Sequence, residues 1–170
     1  MSILETVLFV VTPSKDEGGI DAIDLLKEDH DEVDLLFKNY DDLVEESAPA
    51  KDRRQLSTLI CGMLMVHAMI EEEIFYPQAR RAGVDARLLN EALVEHGSAK
   101  DLIAQIGAMT ADETLYDAKV KVLGEYIRHH VKEEEGELFP ACRKAEMDMA
   151  QLGERLEARK TKLMAMLEDA

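Results

Sequence analysis

Apolar side chains recur every three or four residues along most of the chain after residue 20, which is the spacing of one face of an α-helix. This pattern predicts four long helices, at about residues 21–46, 50–80, 86–109 and 112–139. Because only short segments separate these helices, we expect them to pack as an up-down-up-down bundle. The sequence therefore predicts an all-α fold with a four-helix bundle over residues 20–146.

A further amphipathic helix is predicted near the C-terminus, at about residues 148–168. We expect residues 147–170 to pack on the bundle or to extend it. Residues 1–19 are predicted to be an N-terminal extension, and its apolar pattern fits a helix and a strand equally well. No basic residue precedes the apolar run, so a secretory signal is disfavoured. This extension is expected to cover an apolar patch or to form a homo-oligomer contact.

Turn-forming residues mark the ends of the predicted helices. Pro49 follows the first helix, and Gly83 closes the second helix. Asp85 is in the position of an N-cap for the third helix, and residues 110–113 resemble a capping box before the fourth. Pro140 is expected to end or bend that last long helix.

One histidine falls within the apolar stripe of each long helix, and two of these four histidines are followed by a glutamate at i+4. Residues i and i+4 lie on the same face of a helix, so each pair offers an imidazole and a carboxylate to one point. The candidate metal ligands are His30, His67, Glu71, His96, His130 and Glu134. The first two helices and the last two form an internal repeat, and each half supplies two histidines and one glutamate.

The fifth histidine, His129, is expected to lie near solvent because its neighbours at i−4 and i+4 are Glu125 and Glu133. His130 instead continues the apolar stripe of the fourth helix. The pair of His129 with Glu133 stays open as an alternative to His130 with its own glutamate.

Four imidazoles and two carboxylates in an apolar interior need partners, because an unpaired buried charge is costly. Two metal ions would satisfy all six groups, with each glutamate bridging the ions. Imidazole with carboxylate suits iron, and manganese or zinc are less favoured alternatives. The six groups supply about eight of the roughly twelve bonds that two six-coordinate ions accept. The remaining positions would take a bridge, water, another protein ligand or a small molecule. The competing interpretation, four locally hydrogen-bonded core histidines, is disfavoured by their matched placement.

Other polar residues are placed near the candidate ligands by helical spacing. Tyr126 lies one turn before His130, so it is a candidate for an extra ligand or for a residue that packs behind the ligands. Asp34 and Lys100 lie one turn after the first and third histidines and could contact the ligands from outside.

This pattern resembles the bacterial hemerythrin-like (HHE cation-binding) domain family over roughly residues 20–168. The segments that carry the resemblance are Leu26-Lys-Glu-Asp-His30, His67-x-x-x-Glu71-Glu72-x-x-x-Tyr76-Pro77 and His130-x-x-x-Glu134-Glu135-x-x-Leu138-Phe139-Pro140. The resemblance implies a hemerythrin-like four-helix bundle that holds two iron ions, bridged by the two glutamates and by an oxo or hydroxo group. Oxygen-carrying hemerythrins have a second histidine where this chain has Lys100, and an aspartate motif where it has Glu134. The resemblance therefore implies a metal site with one histidine ligand fewer than in the oxygen carriers.

The composition of the chain argues against some classes of binding partner. The chain has 170 residues, is 46% hydrophobic and carries a net charge of −16, which argues against nucleic acid or an anionic membrane surface as a partner. No apolar run approaches the roughly 18 residues of a membrane span. Cys61 and Cys142 lie far apart and are expected to be reduced thiols in a cytoplasmic protein.

Taken together, these features predict a non-heme, carboxylate-bridged di-iron protein that binds or reacts with O2, peroxide or nitric oxide in sensing, scavenging or a stress response. The alternative is a non-catalytic iron-binding or iron-sensing module, and a plain interaction bundle is a third hypothesis. Whether the protein is an enzyme stays open. If it is one, peroxide breakdown of a catalase- or peroxidase-like kind is favoured, with no separate catalytic residue identified.

Overall fold

Four helical rods form the body of the protein in a computed structural model that describes residues 19–168. The elements are α1 (Ala22–Glu45), α2 (Ala50–Ile70), π1 (Glu71–Phe75), α3 (Tyr76–Arg81), α4 (Ala86–Gly107), α5 (Tyr116–Glu133), π2 (Glu134–Leu138), α6 (Phe139–Lys144) and α7 (Met149–Glu168). The second rod is α2–π1–α3, and the fourth rod is α5–π2–α6. Helix α1 packs on α2 and α5, and α4 packs on the same two helices from the other side. The predicted all-α four-helix bundle is confirmed, whereas the predictions for residues 1–18 lie outside the described residues.

The rods begin and end largely where the turn-forming residues predict. The Asp21 side chain accepts from the backbone N–H groups of Ile23 and Asp24 and caps α1. The Asp85 side chain accepts from the backbone N–H of Arg87 and caps α4. Gly83 has a φ of 85°, which is the left-handed region where glycine costs least. The fourth rod differs, because turns occupy residues 111–115 and the helix begins at Tyr116 rather than near residue 112.

A short π-helical segment interrupts the second and the fourth rods, and the periodicity alone did not predict either one. The N–H of Tyr76 donates to the carbonyl of Glu71, and the N–H of Phe139 donates to the carbonyl of Glu134, five residues back in both cases. A proline follows directly in each rod and lacks the N–H that an α-helix would use next. Each π-helix begins at one of the two candidate glutamate ligands, and such segments are frequent at functional sites.

The apolar interior is divided into two clusters, and the candidate ligands lie between them. One cluster contains Leu26, Ile70 and Phe75, and the other contains Phe37 and Ile60. One leucine of the third rod lies off its buried face. Leu93 is 40% exposed, and Ala92 is buried in its place.

Helix α7 packs across α1, α2 and π1. Its Leu152, Leu156 and Leu163 are buried in the first apolar cluster. Gly153 permits a close approach, because a Cβ atom there would lie 1.7 Å from the carbonyl oxygen of Ile20. The C-terminal helix therefore packs on the bundle rather than extending it.

Within the described part of the chain, no helix combines the length and the apolar character that crossing a membrane requires. Cys61 and Cys142 are both free thiols. Burial raises the pKa of the Cys61 thiol to about 11, and burial together with the charge of Glu134 raises that of Cys142 to about 12.

Candidate metal centre

All six candidate ligands lie side by side in the middle of the bundle, and each is at most 8% exposed. They fall into two overlapping groups whose ligand atoms are close enough to hold a metal ion. The first group is His30, His67, Glu71 and Glu134, and the second is Glu71, His96 and His130. The sequence repeat thus corresponds to two adjacent half-sites.

Each buried glutamate reaches one histidine from each half of the repeat. Glu71 Oε1 lies 3.3 Å from His67 Nε2, and Glu71 Oε2 lies 3.3 Å from His96 Nε2. Glu134 Oε2 lies 3.4 Å from His30 Nε2 and 3.5 Å from His130 Nε2. Both carboxylates are therefore placed between the half-sites, as bridging groups would be.

The four imidazoles turn the same nitrogen inward. The Nε2 atoms of His30 and His67 are 3.1 Å apart, and those of His96 and His130 are 3.2 Å apart. In both pairs the ring centroids are separated by 4.8 Å and the ring planes cross at 60°. The two half-sites therefore have nearly the same histidine geometry.

A carboxylate binds the outward-facing Nδ1 of every one of these histidines. The four contacts are His30 to Glu135 at 2.8 Å, His67 to Asp29 at 3.1 Å, His96 to Glu72 at 2.9 Å and His130 to Glu95 at 2.7 Å. A carboxylate only accepts hydrogen bonds, so the neutral form of each imidazole carries its proton on Nδ1 and directs the lone pair of Nε2 into the site. Such a carboxylate–histidine pair is the usual support of a metal-bound histidine.

These outer carboxylates were not predicted as a set, although a repeated signal marks them. Asp29 and Glu95 directly precede the histidine of the first and third rods, and Glu72 and Glu135 directly follow the buried glutamates. Each acidic residue supports the histidine of a different rod from its own, so the contact depends on packing between rods. Adjacency in sequence alone did not indicate it.

The donor set fits a metal cation. Facing Nε2 lone pairs and two buried carboxylates require positive charge between them. Among the described residues, Glu71 Oε1 and Glu134 Oε2 are buried oxygens that accept no hydrogen bond. Imidazole nitrogen with carboxylate oxygen is a ligand set typical of iron, manganese and zinc. The arrangement can therefore hold metal cations.

The ionisation of the site indicates the same demand for positive charge. Burial would raise the pKa of Glu71, but the imidazoles of His67 and His96 outweigh burial and hold that pKa well below its usual value. Burial opposes a charged imidazole as well, yet the carboxylates raise the pKa of His67 well above normal and that of His130 to about 9. The buried carboxylates therefore remain charged and stabilise cationic partners.

The phenol at this site comes from Tyr76 and not from the predicted Tyr126. Tyr126 is 54% exposed, so the prediction that it is an extra ligand or packs behind the ligands was wrong. The Tyr76 hydroxyl donates to Glu134 Oε1 at 2.8 Å and to Glu71 Oε2 at 3.3 Å, and it lies 3.3 Å from His96 Nε2. In the other half-site the matching aromatic residue is Phe139, which stacks on His30 at 5.9 Å.

The remaining sequence candidates have separate positions. Asp34 pairs with Lys38 and Arg128 and contacts none of the candidate ligands. Lys100 is closer to the site, because its ammonium donates to both oxygens of Glu72 at 2.6 and 2.7 Å. His129 is exposed, as predicted, and forms a third group of possible ligands with Glu95 and Glu133.

A narrow pocket is lined by all four histidines and does not include Tyr76 or Phe139. It encloses about 30 Å³ for the centre of a water-sized molecule. Its apolar lining comes from all four rods and consists of Val33, Leu64, Ala68, Ala99, Ile103, Ile127 and Val131. A space of this size holds one or two molecules as small as water.

Comparisons with known proteins agree with this architecture. The hemerythrin HHE cation binding domain family matches residues 21–142. A solved hemerythrin HHE cation-binding domain-containing protein from Mycobacterium kansasii superposes with a TM-score of 0.72, at 23% identity, over 86% of this chain and 89% of that one.

A protein of Nostoc sp. strain PCC 7120 described as a DNA nickase is 29% identical over 133 residues, which is 78% of this chain. The match spans only 36% of the length of that relative. Because the family match over residues 21–142 covers most of the bundle and all six candidate ligands, the chain belongs to the hemerythrin HHE cation binding domain family.

Proposed function

We propose that the protein holds two iron ions between Glu71 and Glu134 and binds or reacts with O2, peroxide or nitric oxide. The observation that carries this proposal is the duplicated half-site, in which each glutamate lies between one histidine from each half of the repeat. Bound iron would supply redox chemistry and coordination positions that the protein leaves free. Manganese or zinc remains a less favoured alternative. The proposed roles are sensing, scavenging or a stress response.

The size and lining of the pocket support a diatomic molecule or peroxide as the ligand. About 30 Å³ of space for the centre of a water-sized molecule accommodates ligands of this size. Its apolar walls favour a neutral small molecule over a hydrated ion. Val33, Leu64, Ala99 and Ile103 are among its lining residues, so α1, α2 and α4 all contribute apolar walls.

The residues around the site would hold and orient the ligands. The outer carboxylates fix the histidine tautomer, which keeps every Nε2 directed inward. Tyr76 keeps its proton because burial and the charges of Glu71 and Glu134 raise its pKa well above the usual value. Its hydroxyl therefore remains a donor to both bridging carboxylates.

The alternative function is a non-catalytic iron-binding or iron-sensing module. Lys100 lines the pocket, yet its ammonium is held by Glu72, and the other polar pocket residues are the histidines and Asp29, which binds His67. No uncommitted general acid or base therefore faces the pocket among the described residues. This favours binding over multi-step acid–base catalysis. DNA nicking is not carried over from the Nostoc relative, since a net charge of −16 opposes approach to phosphate backbones.

Metal analysis of the purified protein tests the proposal. The wild-type chain from iron-replete cells is expected to contain about two iron ions, and visible absorption should change on adding azide, O2 or nitric oxide. His67→Ala and His130→Ala should each lose most of the iron. The matched control is Glu45→Gln, at the exposed C-terminal end of α1, which should retain iron.

Two results decide between the alternatives. A folded wild-type protein that contains no metal would exclude the di-iron proposal. Iron-loaded protein that shows no spectral response to any of the three ligands, and no peroxide consumption, would favour the non-catalytic module instead.

A further inference from the structure

The four outer carboxylates are themselves paired with cationic groups, and these pairs follow a pattern. Three of the four carboxylates face a lysine on the side away from their histidine. The three pairs are Lys160 with Asp29, Lys100 with Glu72, and Lys27 with Glu135. The lysine charge compensates a carboxylate that is partly buried against an imidazole.

Glu95 departs from this pattern. Its Oε2 accepts from His130 Nδ1 at 2.7 Å, and its Oε1 lies 3.9 Å from Nε2 of the exposed His129. Glu133 Oε1 lies 3.2 Å from the same nitrogen. Within residues 19–168, neither carboxylate has a lysine or arginine ion-pair partner. Glu95 and Glu133 therefore share the imidazole of His129, whereas each of the other three outer carboxylates pairs with a lysine.

We propose that Glu95, His129 and Glu133 bind a divalent transition-metal ion at an outer site, separate from the buried centre. Their candidate ligand atoms all lie within 4.8 Å of one another. One imidazole with two carboxylates suits Zn²⁺ or Fe²⁺, whereas Mg²⁺ and Ca²⁺ prefer oxygen alone. The cation completes the charge pattern that lysines complete elsewhere.

The two helices that carry the outer site are packed directly on each other. His129 and Glu133 are one turn apart on α5, and Glu95 comes from α4. The hydrogen bond to His130 fixes Glu95 so that its second oxygen faces outward. All three side chains are accessible to solvent, so water can complete the coordination of the ion. The outer site does not require that the buried centre hold iron, because it uses none of the six buried ligands.

Calorimetric titration with Zn²⁺ tests this proposal on the full-length protein, after the metal already bound has been quantified. The wild type is expected to bind one more Zn²⁺ per chain than His129→Ala or Glu133→Gln, or to bind it at least tenfold more tightly. Loss of an outer hydrogen-bonding partner already costs roughly ten- to a hundredfold in metal affinity, so loss of a ligand should cost at least as much. Glu45→Gln removes the same charge as Glu133→Gln far from the outer site, and it should titrate like the wild type.

Equal stoichiometry and affinity in all four proteins would overturn the proposal. So would equal weakening in Glu45→Gln and Glu133→Gln, since that would reflect general negative charge. Circular dichroism checks that the variants are folded, and both substituted side chains are accessible to solvent. The metal content measured before titration reports on the buried centre separately, so the two proposals can fail independently.

Discussion

At the scale of single residues, Tyr76 differs from every other group at the centre because it is a hydrogen-bond donor to both buried carboxylates. Its hydroxyl is 2.8 Å from Glu134 Oε1 and 3.3 Å from Glu71 Oε2. In a regular α-helix, residues i and i+5 point about 140° apart, so Glu71 and Tyr76 would not share a face. The π-helical turn between them brings both side chains into the site.

Replacement of this tyrosine should weaken metal binding without unfolding the chain. We expect Tyr76→Phe to lower iron affinity by roughly ten- to a hundredfold, because both carboxylates lose a supporting donor. Competition with a chelator measures the change. Tyr40→Phe is the control, since it removes a buried hydroxyl that donates to Asp117 at 2.6 Å, outside the site. Equal iron affinity in the two variants would contradict a role for Tyr76.

Asp21 links the start of α1 to α6 through Arg143, whose Nη2 donates to Asp21 Oδ1 at 2.9 Å. Burial would raise the pKa of Asp21, but Arg143 and the capped backbone N–H groups outweigh it and lower that pKa below its usual value. Because the pKa is lower in the folded state, this stabilisation is fully present above about pH 4 and is lost as pH falls through the folded-state pKa.

We therefore expect Asp21→Ala to lower the free energy of unfolding by about 1–2 kcal/mol at pH 7. The difference from wild type should shrink in urea melts below about pH 4, where the wild-type carboxylate becomes protonated. Asp31→Ala, an exposed substitution on α1, should have little effect at either pH. A constant difference across this range would show that the charge of Asp21 is not involved.

At the scale of elements, the C-terminal helix α7 reaches the metal centre by a chain of contacts. Lys160 Nζ donates to Asp29, and Asp29 Oδ2 lies 3.1 Å from His67 Nδ1. The family match ends at residue 142, before α7 begins. Helix α7 therefore supplies a charge that holds one candidate ligand, in addition to covering the first apolar cluster.

Lys160→Met is expected to reduce the free energy of unfolding by about 1–3 kcal/mol, because Asp29 keeps its charge but loses its ammonium partner. It should also lower the iron retained against a chelator, since Asp29 then holds His67 less firmly. Chemical denaturation and metal analysis measure the two effects. Lys162→Met on the exposed face of α7 should change neither the free energy of unfolding nor the iron retained. Lys160→Arg keeps a cation beside Asp29, so it should lose less of both than Lys160→Met.

Packing of α7 on the start of the bundle depends on Gly153. A Cβ atom there would overlap the carbonyl of Ile20, so we expect Gly153→Ala to destabilise the protein by about 1–3 kcal/mol or more in thermal melts. Gly97→Ala provides the opposite case, because a methyl group added at that position would have no neighbour within 4 Å. There the substitution should stabilise α4 by about 0.5–1 kcal/mol. A change in stability of the same sign in Gly153→Ala and Gly97→Ala would contradict this explanation.

At the scale of the whole molecule, helical periodicity was sufficient to predict the four rods and the inward position of the histidines. His30 and His130 continue apolar stripes, so a packed bundle necessarily turns them toward its interior. Periodicity could not predict Tyr76, because the π-helical turn changes the phase of the rod. It also could not predict the contact of Glu95 with His130, because that contact depends on how α4 and α5 pack.

The surface of the molecule carries a large excess of acidic groups, with a net charge of −16. Such a charge opposes the compact state by self-repulsion, and salt shortens the range of that repulsion. We expect the Tm of metal-saturated protein to rise when NaCl increases from about 0.01 to about 0.15 M, where the Debye length falls from roughly 30 to 8 Å. Potassium chloride at equal ionic strength should act alike. A falling Tm would indicate that surface ion pairs outweigh the repulsion.

Tyr76 and Phe139 occupy matching places in the two halves and differ by one oxygen atom. The Tyr76 oxygen makes the two half-sites chemically different, although the repeat would otherwise make them equivalent. A pair of iron nuclei here would occupy unlike surroundings, one near a phenol and one near a phenyl ring. Mössbauer spectroscopy should then resolve two quadrupole doublets of equal area, and in Tyr76→Phe the two doublets should draw together.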